Sequence, residues 1–234
     1  MSGRSLSSRD SAKYLFSNDS WDSPTVNRFI SLLARQPHRP EATAVVVGAG
    51  GLPYTLGYLG VSRVVVADKY EEVGRSVRAR AQLLGIETIT PTWEEHLRQV
   101  KLFFPGFETL IDEEFQTAKQ SGLMRNYDAT QEGAAATEIA LCPGDIVETF
   151  PVLGASLKEE DRKVTMVNIS NVAGYMLVNG SNDRDAVHSA LADLVCQLPL
   201  TPDAVIVEST RATVHDPMRV SVGNPADMLG RLVK

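Results

Sequence analysis

Cysteine is scarce in this chain: there are two in 234 residues, Cys142 and Cys196. Two thiols so far apart, each in apolar company, build neither a disulfide framework nor a C-x-x-C motif, so a reducing cytoplasm is the expected compartment. Histidine is almost as sparse. His38, His96, His188 and His215 are scattered and none stands at ligand spacing from another, so no metal cofactor is expected. An excess of positive charge is also lacking. The 23 Lys and Arg face 29 Asp and Glu, giving a net charge of −6 and a pI near 5.3. That balance argues against a nucleic-acid partner, which normally meets a basic stripe. No apolar run approaches the length of a membrane span, and residues 1–10, rich in Ser and Arg, carry no apolar segment of a secretory signal. There is no G-x-S-x-G elbow for a nucleophilic serine, no internal repeat and no low-complexity tract. The expectation is a soluble protein that handles a small molecule.

Hydrophobic content of 43% and charged content of 22% are ordinary, and the length suits one large α/β domain. Tyr14, Phe16 and Trp21 sit in a polar N-terminal arm, which either docks on the core or closes over a ligand. Ser23-Pro24 is a helix start, Val26, Phe29, Ile30 and Leu33 recur at helical spacing, and Pro37 and Pro40 close the helix. Residues 1–40 therefore read as an arm and helix, and 41–234 as the α/β domain. In that domain a β-branched run at 42–47 stops at Gly48 and is followed by Ala49-Gly50-Gly51-Leu52-Pro53. A second run at 63–67 ends in Asp68, and a helix over 71–84 ends at Gly85. This order opens a doubly wound sheet. Residues 86–136 read as a helical insertion, with a capping box at Thr92 and Glu95 and a helix over 109–120. It is long enough to wall a pocket or carry a homodimer contact. Later strands are expected at 137–141, leading to Gly144-Asp145, and at 164–169, 204–207 and 219–222. A helix over 185–198 has Val187, Leu191, Leu194 and Leu198 on one face. The fold class is a Rossmann-like α/β domain, a mostly parallel central sheet with helices on both faces.

A strand that stops at glycine lets backbone N–H groups and a helix N-terminus face a ligand. Gly48 and Gly50 fill two positions of a G-x-G-x-x-G loop, but Pro53 stands at the third. Proline there does not suit close helix–strand packing over a pyrophosphate, which counts against NAD. It does suit the first turn of a helix. Asp68 ends the second strand, where a carboxylate can accept from both ribose hydroxyls of an adenosine; the plainer reading is a helix cap.

With these pieces in order, the chain resembles the class I S-adenosylmethionine (SAM)-dependent methyltransferase superfamily. The matching residues are Val45-Val46-Val47-Gly48-Ala49-Gly50-Gly51, Asp68, Gly144-Asp145, and the 164–169 strand followed by Ser170-Asn171, with a helix ahead of the first strand. The resemblance spans about residues 24–223. It implies that Gly48 and Gly50 lie under the amino-acid arm of SAM, that Asp68 holds the ribose, that Asp145 sits beside the adenine amino group, and that Ser170 lines the same cofactor site. The chain departs from the pattern at Val47, where an acidic residue often precedes the first glycine.

Residues 168–176 should lie at the carboxyl end of the central strand. Asn168 and Asn171 offer uncharged donors and acceptors. Tyr175 offers a ring face for a sulfonium; its plainer reading is a core side chain. Ser209, with Arg211, follows a later strand and would line the rim. No general base for a methyl acceptor stands out. The length, Val47, the aromatic arm and the Asn/Ser/Tyr segment resemble the small azetidine-2-carboxylate synthases. Those enzymes of nonribosomal-peptide pathways, a part of specialised metabolism, convert SAM into azetidine-2-carboxylate and methylthioadenosine. That resemblance implies catalytic roles for Tyr175 at the sulfonium and for Asn168, Asn171 or Ser209 at the amine. A small-molecule N- or O-methyltransferase and a non-catalytic SAM- or nucleoside-binding module are the alternatives.

Overall fold

A computed structural model describes residues 19–20, 23–36, 41–48, 61–71, 73–75, 77–78, 95, 98, 101–102, 105–106, 108–121, 136–170, 172–179, 183–210 and 218–232. Their elements in chain order are β1 (Asp19–Ser20), α1 (Ser23–Leu33), β2 (Ala42–Val47), β3 (Arg63–Asp68), α2 (Glu108–Ser121), β4 (Glu138–Pro143), α3 (Ile146–Glu159), β5 (Lys163–Asn168), α4 (Val172–Asn179), α5 (Arg184–Val195), β6 (Leu200–Thr210), β7 (Met218–Gly223) and α6 (Pro225–Leu232). Helical residues at 71, 73–75 and 77–78 follow β3. One seven-stranded sheet has the order β1-β7-β6-β5-β2-β3-β4. All neighbours are parallel except β6 and β7. The chain thus steps outward from β2 to β4, returns to lay β5 against the other side of β2, and continues to β6. The order reverses between β2 and β5, and in an open sheet of this kind the crevice at that reversal, at the carboxyl ends of the strands, is where ligands bind. The Rossmann-like α/β expectation describes this architecture.

The strands are short valine-rich runs because both faces of the sheet are covered. Ala44, Val46, Val64 and Val66 join Val26, Phe29 and Leu33 of α1 and Val73 and Val77 in one core. Val45, Val65, Ala67, Val167 and Ile206 join Ile146, Phe150 and Leu157 of α3 and Val187, Leu191 and Val195 of α5 in the other. The helix in the first forty residues is thereby part of the main core, with Phe29 fully buried.

β5 breaks the alternation. Val164 lies in the second core and Met166 in the first, although they are two residues apart. The register explains this: Thr43 pairs with Val164 but Ala44 with Met166, so Thr165 is an extra residue that switches the face. Opposite it, β6 advances from Leu200 to Val205 while β5 advances from Val164 to Met166. The carbonyls freed by this irregularity are collected from outside the sheet. Gln36, just past α1, donates through Nε2 to Thr165 O at 2.9 Å and Asp203 O at 2.8 Å. Each such bond contributes about 1 kcal/mol.

The structure moves several boundaries. α1 ends at Leu33, before Pro37, and Ser23 is its first residue instead of its cap. β6 starts at Leu200, because the turn-like Thr201-Pro202-Asp203 is carried as a bulged strand. Three helices had no counterpart in the sequence reading: α3, α4 and α6. α3 contains Pro151 and Gly154, residues of poor helix propensity, yet it buries Ile146, Phe150, Gly154 and Leu157 along one stripe. Gly154 is required there, since a Cβ would lie 2.3 Å from the carbonyl oxygen of Gln197. The loop residues Gly50, Gly51 and Pro53, the arm aromatics Tyr14, Phe16 and Trp21, and Thr92, Asn171, Arg211 and His215 lie outside the described residues.

Candidate functional site at the carboxyl edge of the sheet

Gly48 leaves β2 with φ of +81°, a left-handed conformation that glycine adopts without steric cost. Among the described residues, a Cβ built on it would meet nothing within 4 Å. Asp68 closes β3 on the adjacent strand, where Val47 pairs with Ala67. Its Oδ1 accepts from the Tyr70 N–H at 2.8 Å, a turn that launches the following helix. Its own carbonyl accepts from the Gly144 N–H at 2.9 Å. Burial pushes the Asp68 carboxyl up from 3.8 to about 6, against the opposing pull of the Tyr70 N–H and the Lys69 charge. Asp68 is therefore both a turn former and a carboxylate short of hydrogen-bond donors. The Tyr70 bond is the only hydrogen bond to its side chain among the described residues.

Asp145 has a structural duty. It is the N-cap of α3, with Oδ1 accepting from the Val147 N–H at 3.0 Å, and it is exposed. Beyond the reversal, Asn168 ends β5 opposite Val46. It is buried at 4% exposure, and its Oδ1 accepts from the Ser170 N–H at 3.0 Å. That bond holds the chain in a tight turn into α4. Ser170 is 7% exposed, and its hydroxyl has no hydrogen-bond partner. Tyr175 lies in α4. Ser209, expected beyond its strand at the rim, instead lies inside β6 opposite Val220 and is buried. The correction follows from β6 running three residues past the expected end at 207, held there by β7.

One pair escaped the sequence reading. Glu208 is 6% exposed near the carboxyl end of β6, and its Oε1 lies 3.8 Å from Nε2 of His188 on α5. The signal was available in part: Glu208 ends an apolar strand run as Asp68 does. His188 is next to Val187 and three residues before Leu191 on the buried stripe of α5, but its partner comes from a different element. Cys142, the other reactive group near this edge, has its thiol pushed up by burial and so remains protonated. Among the described residues no three His, Cys, Asp or Glu side chains group as metal ligands.

The arrangement defines an α/β protein whose sheet edge at the reversal of strand order carries polar side chains. No family model matches the chain, and no curated protein matches it. Among solved structures it is similar to two of the rRNA methyltransferase AviRa from Streptomyces viridochromogenes. One is 16% identical, covering 89% of this chain and 86% of that one with a TM-score of 0.43. The other is 15% identical, covering 88% and 86% with a TM-score of 0.41.

Proposed function

We propose that this chain is an enzyme that binds SAM across the carboxyl ends of β2, β3 and β5 and acts on its sulfonium. The observation that carries the reading is Asp68. Keeping a carboxylate ionised in a partly buried place is unfavourable unless donors reach it. The two ribose hydroxyls of an adenosine supply such donors, beside a glycine at the point where strand order reverses. In this reading Gly48 and Gly50 underlie the amino-acid arm, and Asp145 offers its remaining carboxylate oxygen toward the adenine.

For the reaction we infer cyclisation of the amino-acid arm to azetidine-2-carboxylate with release of methylthioadenosine. The groups beside the reversal, Asn168 and Ser170, are neutral and buried. They suit holding an amine against the γ-carbon, a task of positioning and desolvation. This reading assigns the sulfonium to Tyr175 and a further neutral contact to Asn171. Methyl transfer to an external small molecule is the second reading. The Glu208–His188 pair could serve that transfer as a base too, so the products, not the pair, separate the two readings.

Incubation of the purified full chain with SAM alone tests both. Methylthioadenosine and azetidine-2-carboxylate, detected by mass spectrometry, are the expected products. SAM that stays intact until an acceptor is added, and then yields S-adenosylhomocysteine, replaces cyclisation by methyl transfer. Bound but unreacted SAM under every condition makes the chain a binding module. No binding by calorimetry overturns the SAM reading.

A further inference from the structure

Glu208 stands where an apolar residue would continue the strand. It falls on the same sheet face as Ile206, which α5 covers. A carboxylate in that position is costly to desolvate unless it is paired. Its Oε1 lies 3.8 Å from Nε2 of His188. The position is also close to the site already described. Asn168 pairs with Val207, and the Ile169 N–H donates to Val207 O at 2.8 Å. Glu208 is therefore next in line on the neighbouring strand, where β5 turns into Ser170. The Ser170 hydroxyl, more than nine-tenths buried and without a partner, is a second polar group held ready at that turn.

We propose that Glu208 and His188 together accept the proton that the α-ammonium of SAM must lose before its nitrogen can attack; this rests on the cyclisation reading above. A carboxylate alone would hold the amine in its charged form. A carboxylate beside an imidazole does not, because the imidazole takes the proton and the pair becomes an ion pair with no net charge. The ammonium gives one proton to the pair, and the freed nitrogen lone pair forms the N–Cγ bond. The Cγ–S bond breaks with its electrons remaining on sulfur, which leaves as neutral methylthioadenosine. The ring nitrogen departs as a protonated secondary amine. The pair then returns its proton to water through His188, whose side chain is 16% exposed and so reaches solvent.

The experiment measures methylthioadenosine release by the full-length protein from SAM alone, with SAM affinity by calorimetry alongside. Glu208→Gln keeps the shape and removes the base. It should lower kcat on the order of a hundredfold or more and leave KM within about threefold, while Glu208→Asp retains an intermediate rate. His188→Ala should lose a comparable factor, and imidazole added to the buffer should restore kcat in a saturable way, which a purely structural role for His188 would not allow. Rates within twofold of the parent in both variants overturn the proposal. So does a His188→Ala loss that imidazole leaves untouched, or a Glu208→Asp variant that folds normally and is as slow as Glu208→Gln. A parent protein that binds SAM and releases no methylthioadenosine overturns the cyclisation reading and this role with it. Failure to bind SAM removes the reading beneath both.

Discussion

The two ends of the sheet are built differently. At the amino end several charged side chains tie neighbouring elements together. Arg63 of β3 donates to Glu160 at 2.8 Å, and Arg162 lies 3.2 Å from the same carboxylate and donates to the Ser62 hydroxyl at 3.2 Å. Thr137 donates to Val61 O at 3.1 Å, the Glu138 N–H to Ser62 O at 3.0 Å, and the Ser62 N–H to Ala42 O at 3.3 Å. Glu160 is held below its ordinary range, first by the Ser156 hydroxyl and then by Arg63 and Arg162. At the carboxyl end the polar groups bond within their own turns, Asp68 to Tyr70 and Asn168 to Ser170, or lack a partner, as the Ser170 hydroxyl does. Buried hydroxyls without a partner occur toward both ends, at Thr43, Thr165 and Thr201 as well as Ser170, so the difference lies in the charged and amide side chains: at the amino end they join elements, and at the carboxyl end they close their own turns. Substitutions at the two ends should therefore separate stability from binding.

The largest separation should come from Asp68. If Asp68 holds the ribose as proposed, Asp68→Ala removes two charge-assisted hydrogen bonds, and SAM affinity should fall about a hundredfold, roughly 3 kcal/mol. The apo-protein should respond in the opposite sense. The folded-state pKa is raised from 3.8 to about 6, so the ionised carboxylate costs the fold stability above about 6, and that cost fades as the pH falls toward 3.8. Asp68→Asn should therefore raise the melting temperature at pH 7 and leave it nearly unchanged at pH 4. SAM affinity of the parent should weaken as pH drops through about 6, and the Asn variant should lack that dependence. Calorimetry across this range would break the comparison if affinity were flat in the parent.

Gly48 should follow. A Cβ at φ of +81° is strained by about 1–2 kcal/mol but meets no atom of the described residues. Gly48→Ala should lower stability by about that amount. If the amino-acid arm lies against Gly48 as proposed, the added methyl should also weaken SAM on the order of tenfold. At the amino end, Arg63→Met should cost about 1 kcal/mol, or 2–4 °C in melting temperature for a domain of this size, with SAM affinity unchanged. A drop in SAM affinity there would mean that the two ends are coupled.

What the sequence made legible follows the same division. β2, β3 and β5 were visible because they are buried on both faces and so read as unbroken β-branched runs. Gly48 and Asp68 were visible because each ends such a run. α3 was hidden because Pro151 and Gly154 have poor helix propensity, and Gly154 answers to its contact with the chain at Gln197, a tertiary demand that propensity does not encode. The bulge at Thr165 was hidden for a similar reason, since its carbonyl is satisfied by Gln36, 129 residues away. The Glu208–His188 pair joins a strand to a helix and leaves no local pattern. Asp145 was legible as an acid after a strand, and the structure adds that one of its oxygens already caps a helix.

The smallest effect, and the one with the most diagnostic sign, belongs to Ser170. Its hydroxyl is buried and has no partner, so the folded apo-protein carries the cost of desolvating it. Replacing serine by alanine removes that cost along with the group, and the variant should be as stable as the parent or more stable by up to about 1 kcal/mol. If the hydroxyl is reserved for the amino-acid arm of SAM, the same variant should bind SAM several-fold more weakly. Higher or equal melting temperature with weaker binding is the pattern of a binding group. A loss of stability would instead place the serine among the structural contacts, and the contrast between the two ends of the sheet would no longer extend to β5. Calorimetric affinity and a thermal melt on Ser170→Ala, measured in one buffer, decide between these outcomes.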